Sequence, residues 1–215
     1  MRWALVTLAA LLAVATVVIA AEEAPVDDGK TALLVIDIQA FYFEGGKVPL
    51  VASEAAALKA QRALETFRRL GWPVVHVQHL PQGVDQPDPA ILDPQYRIRP
   101  EVMPREGEKL VGKHFASSFR GTDLEAWLKV QGVTRLVVVG MQTHMCVEAA
   151  TRAAADLGFQ VTVLHDAGAT RALRFGSTEV PAAHVHAATL AALSGSYAEV
   201  VSVDEWLAAN APPLT

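Results

Sequence analysis

The chain has little sulfur, no basic run and no recognisable nucleotide loop. Its 215 residues include one cysteine, so no disulfide forms within the chain,. Lys and Arg number 18 against 23 Asp and Glu, and they form no block. That balance argues against nucleic acid as a partner. No Gly-x-Gly-x-x-Gly follows the first apolar strand and no Walker-type loop occurs, so no dinucleotide or other cofactor is expected,. The histidines do not gather into a ligand set. His76 and His79 alternate faces on a predicted strand, and His184 and His186 do not share a face of a predicted helix, so no metal site is expected,. Only one long apolar run exists, residues 5–19, behind Met1-Arg2 and ahead of Ala20-Ala21. This is the pattern of a secretory signal peptide over residues 1–21, followed by an acidic linker over 22–30. The run is short for a membrane span. Export to the periplasm or the exterior, with no stable span after cleavage, is the expectation. Residues 31–215 then suit a single domain. A lone thiol outside the cytosol is a liability unless it is buried or used.

What is present is a strand that hands over to a helix at that cysteine. Residues 136–139 are a short, continuous, β-branched run, the pattern of a strand buried on both faces,. Residues 140–145 form a turn, and from Cys146 the apolar positions Val147, Ala150, Ala154 and Leu157 recur at helical spacing until Gly158,. Unpaired N–H groups and the dipole at a helix start are expected to favour the thiolate and lower the thiol pKa. The carboxyl edge of an open α/β sheet is also where ligands bind.

The same alternation runs through the chain. Further strands are predicted over residues 31–38, 73–79, 109–113, 159–164 and 198–203,. Helices are predicted over 52–70, 123–130 and 180–193, with Asp204 as the N-cap of a short final helix,. In the first helix Ala56, Leu58, Ala63, Leu64 and Phe67 make the expected buried stripe,. The fold class is therefore α/β: three layers, α/β/α, with a doubly wound, six-stranded, mainly parallel sheet of Rossmann-like layout. Residues 82–104, rich in Pro, Asp and Gln, are long for a connection and read as a lid or an oligomer contact,. Phe41-Tyr42-Phe43, followed by Gly45-Gly46, reads as an aromatic loop suited to roofing a pocket.

Asp37, Lys113 and Cys146 fall at carboxyl ends of predicted strands. If those strands are neighbours, a thiolate can attack a carbonyl carbon, a carboxylate can shuttle the proton, and an ammonium can stabilise both. Backbone N–H groups of the 140–146 turn suit an oxyanion. Each residue also has a plainer reading: Asp37 as a turn cap, Lys113 as a solvated side chain, Cys146 as an inert buried thiol.

Four segments carry a family resemblance: LLVIDIQ (residues 33–39), GKHFASSF (112–119), VVVGMQTHMCVEAATRAAADLGF (137–159) and DAGATR (166–171). On these the chain resembles the isochorismatase-like cysteine hydrolases, a group that includes isochorismatases, nicotinamidases and N-carbamoylsarcosine amidohydrolase. The resemblance covers nearly everything after residue 30. It implies a catalytic Asp37, Lys113 and Cys146 as base, partner and nucleophile. It also implies a cis peptide at Met141–Gln142, with the N–H groups of Gln142 and Cys146 facing the oxyanion. Nicotinamidases of the family carry an Asp-x-His…His cluster after the second strand; here residues 77–85 hold one His and no such cluster, which weakens nicotinamide as a substrate. A dimer or larger homo-oligomer is also implied.

The expected substrate-binding set is Gln39, Phe43, Phe115, Phe119, Gln142 and His144. The phenylalanines would be an aromatic lining for a small, flat or apolar acyl group. Gln39 also reads as a hydrogen-bonding partner of loop backbone, and His144 as a helix cap. The expected function is cysteine-dependent hydrolysis of a small amide, ureido or related substrate through a thioacyl-enzyme. Vinyl-ether hydrolysis in the same fold, or a non-hydrolytic ligand-binding or oxidant-sensing thiol, are the alternatives.

Overall fold

The computed structural model describes residues 29–85 and 92–210. The expected signal peptide, most of the expected linker and residues 86–91 of the expected lid lie outside the described residues. Strands β1 (Lys30–Ile36), β2 (Val74–His79), β3 (Lys109–Lys113), β4 (Val133–Met141), β5 (Gln160–Ala169) and a later short strand, Glu199–Val201, form one sheet. With that last strand numbered β8 the order is β3-β2-β1-β4-β5-β8, and every pairing is parallel. Continuous apolar strands are what a sheet covered on both faces requires: β1 is buried from Ala32 to Ile36 and β4 from Leu136 to Met141.

Helices α1 (Ser53–Leu70), α2 (Leu124–Val130), α3 (Glu148–Asp156), α4 (Ala182–Leu193) and α5 (Val203–Asn210) supply the outer layers. One core joins α1 and α5 to Leu33, Val35, Val137 and Val139. The other joins α2, α3 and α4 to Leu34, Ile36, Leu136 and Val138. The two sets alternate along each strand, as a sheet with two buried faces demands. In α1 the stripe is Ala56, Ala60, Ala63, Leu64 and Phe67, while Leu58 points outward and is 54% exposed. Leu58 lies two residues from Ala56, about 200° around the helix, so its spacing assigns it to the solvent side. Leu157 likewise ends up exposed, just beyond α3.

Two further departures are local. The final helix is capped by Ser202 rather than Asp204: the Glu205 N–H donates to Ser202 Oγ (3.2 Å) and the Ser202 N–H to the Glu205 carboxylate (2.7 Å). This is a reciprocal capping box. Asp204 instead accepts from Lys59 of α1 at 2.7 Å. Between β5 and α4 the chain also makes a small antiparallel hairpin, β6 (Leu173–Phe175) with β7 (Thr178–Val180). Two strands of three residues are too short to give a periodic signal,.

One glycine sets the approach of the two central strands. Gly140 has φ +135°, and a Cβ there would stand 2.1 Å from the Ile36 carbonyl oxygen. It pairs with Ile36 in the β1–β4 register, immediately before the cysteine turn. Gly140→Ala is therefore expected to lower unfolding free energy by about 3 kcal/mol or more, since both the backbone conformation and the packing oppose a side chain. Denaturant titration of the two proteins measures this; an unchanged midpoint would contradict the close approach.

Candidate active site

The strand order brings the carboxyl ends of β3, β2, β1 and β4 side by side. Asp37 follows β1 directly and has φ 49°. Among non-glycine residues Asp is one of the few that adopts this left-handed conformation readily. Lys113 ends β3, with β2 between it and β1. A long side chain crosses that gap of roughly 10 Å. Cys146 lies in a π-helical turn, Thr143–Val147, that leads from β4 into α3. The turn is closed by the Gln142 carbonyl, which accepts from the N–H groups of Met145 (3.0 Å) and Val147 (3.2 Å). The Met141–Gln142 peptide is cis.

These placements bring the three side chains together. Lys113 Nζ lies 2.7 Å from Asp37 Oδ2 and donates to Cys146 Sγ (3.3 Å) and to the Phe115 carbonyl (3.0 Å). Two ammonium N–H groups are thus hydrogen-bonded, and the contact with Asp37 is a close ion pair. Asp37, Lys113 and Cys146 are 0%, 1% and 6% exposed. Burial acts to lower the Lys113 pKa, but Asp37 and the sulfur outweigh it and hold the ammonium above its ordinary range.

The thiol behaves opposite to the expectation drawn from its helix-start position. Burial first, and then the Asp37 carboxylate, push Cys146 up to about 12, and the Lys113 ammonium offsets only part of this. The helix start was the only influence legible locally; depth and a carboxylate neighbour outweigh it. The resting sulfur therefore keeps its proton. With iodoacetamide, the alkylation rate is expected to be slow at neutral pH and to keep climbing beyond pH 9, past the point where an ordinary thiol levels off. A plateau by pH 9 would contradict a protonated resting thiol.

A cavity of about 410 Å³ opens on the sulfur. Its apolar surface comes from Phe41, Tyr42, Val48, Tyr96, Ala116 and Met145, and its polar groups from His79, His114, Gln142 and Cys146, with Lys47 also in the lining. Tyr96 comes from the proline-rich connection between β2 and β3, so that segment supplies a wall. A larger groove of about 970 Å³ lies at the amino ends of the strands, between Thr31, Arg135, Gln160 and Glu199, and contains none of the three groups.

The expected substrate-binding residues divide. Gln142 lines the cavity and donates through Nε2 to the Tyr42 hydroxyl (3.2 Å). Gln39 is buried and committed to backbone: its Nε2 donates to the carbonyls of His79 (2.9 Å) and Tyr96 (2.6 Å), and its Oε1 accepts from the His79 N–H (2.9 Å). His144 binds Thr170 Oγ1 (2.5 Å) and does not line the cavity.

The three expected phenylalanines are not in the lining. Phe43 is buried in the core beneath Arg99, whose guanidinium sits 4.3 Å over the ring. Phe115 is 43% exposed under Arg120, and Phe119 stacks on Phe159. The aromatic lining is instead Phe41, Tyr42 and Tyr96, with Phe41 4.2 Å from Tyr42 and 5.3 Å from Tyr96, centroid to centroid. A helical turn over Ala40–Tyr42 gives way to extended backbone at Phe43, which turns that ring away. His79 and His114 were missed as well; their places beside strand ends were the available signal.

His76, set aside as a ligand, pairs with Glu108 at 2.8 Å. Among the described residues no group of three or more His, Cys, Asp or Glu is placed to hold a metal ion.

A thiol and a carboxylate thus meet one ammonium at the carboxyl edge of a parallel sheet, beside a cavity. Residues 31–205 match the isochorismatase domain, and the chain belongs to the isochorismatase family. Members of this family are hydrolases, and so is this chain. It is similar to YddQ, an uncharacterized isochorismatase family protein of Bacillus subtilis: 43% identical over 181 residues, covering 82% of this chain and 98% of that protein. Its fold is similar to a crystal structure assigned as an isochorismatase hydrolase from Oleispira antarctica, with TM-score 0.78, 47% identity, and 84% and 97% of the two chains covered. N-carbamoylsarcosine amidase from Thermoplasma acidophilum is more distant, with TM-score 0.66, 26% identity, and 81% and 97% covered.

Proposed function

We propose that the chain is a cysteine hydrolase of small amides or ureides that works through a thioacyl-enzyme. The observation that carries this reading is the contact of the Cys146 sulfur and the Asp37 carboxylate with one buried ammonium, at the floor of a cavity. As the sulfur attacks the carbonyl carbon, its proton passes to Asp37. The N–H groups of Gln142 and Cys146 receive the negative oxygen. Asp37 then returns the proton to the leaving nitrogen as the C–N bond breaks, releasing ammonia or an amine. Water, deprotonated by Asp37, attacks the thioester, and the acid leaves as the thiol is restored. Lys113 keeps Asp37 ionised and stabilises the sulfur as it loses its proton.

A thiol that holds its proton until substrate arrives fits this general-base scheme. It also weighs against an oxidant sensor, which needs an accessible sulfur of low pKa. The amidase named among the similar structures supports the amide reading. The test is mass spectrometry of protein quenched during turnover of a panel of small amides and ureides. An acyl mass on Cys146 is expected. Turnover with no adduct under any quench, alongside a sulfenic acid on Cys146, would replace this reading with the redox one.

A further inference from the structure

Resting on that reading, the inference concerns which substrates the cavity accepts. Its polar wall contains several atoms with no hydrogen-bond partner. His79 ends β2 and His114 directly follows β3, and His79 is in register with Lys113. Nδ1 of each ring is buried without a hydrogen-bond partner, and so is Gln142 Oε1. Buried polar atoms without partners are rare, and here three such atoms belong to residues that line one cavity. The side chain of Gln142 donates to Tyr42, leaving the tyrosine hydroxyl proton available to an occupant.

The charges point the same way. Lys113 is held by Asp37. Lys47 is the only lysine or arginine in the lining; it is 59% exposed and pairs with Asp93 at 3.1 Å. Arg171, whose field reaches Tyr42 and His144, is exposed and outside the lining. Burial lowers the His79 pKa, which keeps that ring uncharged. No unpaired lysine or arginine in the lining therefore awaits a substrate carboxylate, while imidazole, amide and phenol groups stand beside three aromatic rings.

We infer that His79 and His114, with Gln142 and Tyr42, form a recognition wall that selects uncharged amides or ureides with a flat acyl group and rejects those bearing a carboxylate. The two histidines are specificity-determining residues, with no role assigned to them in bond making.

The test measures binding of benzamide and 4-carbamoylbenzoate to the full-length Cys146→Ala protein by calorimetry, so that turnover does not intervene. Benzamide is expected to bind at least tenfold more tightly. His79→Leu and His114→Leu are each expected to weaken benzamide about tenfold while leaving 4-carbamoylbenzoate nearly unchanged, because an imidazole contact is lost only where one was made. Should a leucine variant fail to fold, the asparagine variant at that position, shorter but polar, is expected to lose the same preference. Equal binding of the two ligands, tighter binding of the carboxylate, or a preference unmoved in folded variants would each overturn the inference. The preference in the alanine protein, together with no thioacyl adduct on the wild-type protein during turnover, would sink the hydrolase mechanism and leave the recognition wall standing. Equal acylation by neutral and carboxylate-bearing amides would do the reverse.

Discussion

Replacing Cys146 with alanine is expected to cut kcat on any amide substrate by at least about 10⁴-fold, the scale seen when a nucleophile is removed from a triad that acts as a unit. No other group is placed to substitute for it. The hydroxyls in the cavity lining are the phenols of Tyr42 and Tyr96. Burial, and then the Asp37 carboxylate, raise the Tyr42 pKa, so that phenol keeps its proton and is a poor nucleophile. Cys146→Ser is expected to lose nearly as much. The oxygen keeps the position but is a weaker nucleophile than sulfur, and Asp37 must remove a less acidic proton. Both variants should fold, since the change empties a small volume beside a cavity and leaves the Asp37–Lys113 pair intact. Steady-state turnover with matched circular dichroism spectra checks this. Alanine protein with wild-type kcat would remove the sulfur from the mechanism altogether.

The residues at the strand ends were legible because each announces itself locally. A charged or nucleophilic side chain directly after a continuous apolar strand lies at the sheet's ligand-binding edge, whatever the loops do. Asp37, Lys113 and Cys146 meet that condition, and the all-parallel order β3-β2-β1-β4 gathers them. Two kinds of property were not legible. The first is depth: the sign of the Cys146 shift depends on burial and on a carboxylate 109 positions earlier in the chain, and neither is present in the pattern around residue 146. The second is loop direction: the Phe41–Phe43 loop was expected over the pocket with Phe43 as the contact, and Phe41 and Tyr42 face it instead, because residues in a short irregular segment carry no periodicity that assigns them to a side. His79 shows the two limits meeting. Its place at the end of β2 marks it as a rim residue, but only the three-dimensional arrangement shows its Nδ1 buried without a partner.

The second large effect is on stability and separates the ion pair from its catalytic use. Asp37 and Lys113 are both fully buried and stand 2.7 Å apart. Lys113→Met leaves a carboxylate with no counter-charge inside the protein, and Asp37→Asn leaves an ammonium in the same position. Each single variant is expected to lose about 3–5 kcal/mol of unfolding free energy, because most of the penalty is the stranded charge. The double variant Asp37→Asn/Lys113→Met strands neither charge. It is expected to lose clearly less than the two single losses added together, with a coupling energy of about 2–3 kcal/mol from the double-mutant cycle. Activity should follow the opposite rule. No combination restores it, because turnover needs the base at residue 37 and the ammonium that holds it ionised. Urea unfolding of the four proteins gives the cycle, and turnover on one shared amide gives the comparison. Strictly additive stability losses would show that the two groups do not compensate each other. A double variant that regained activity along with stability would show that the pair is structural and the chemistry lies elsewhere.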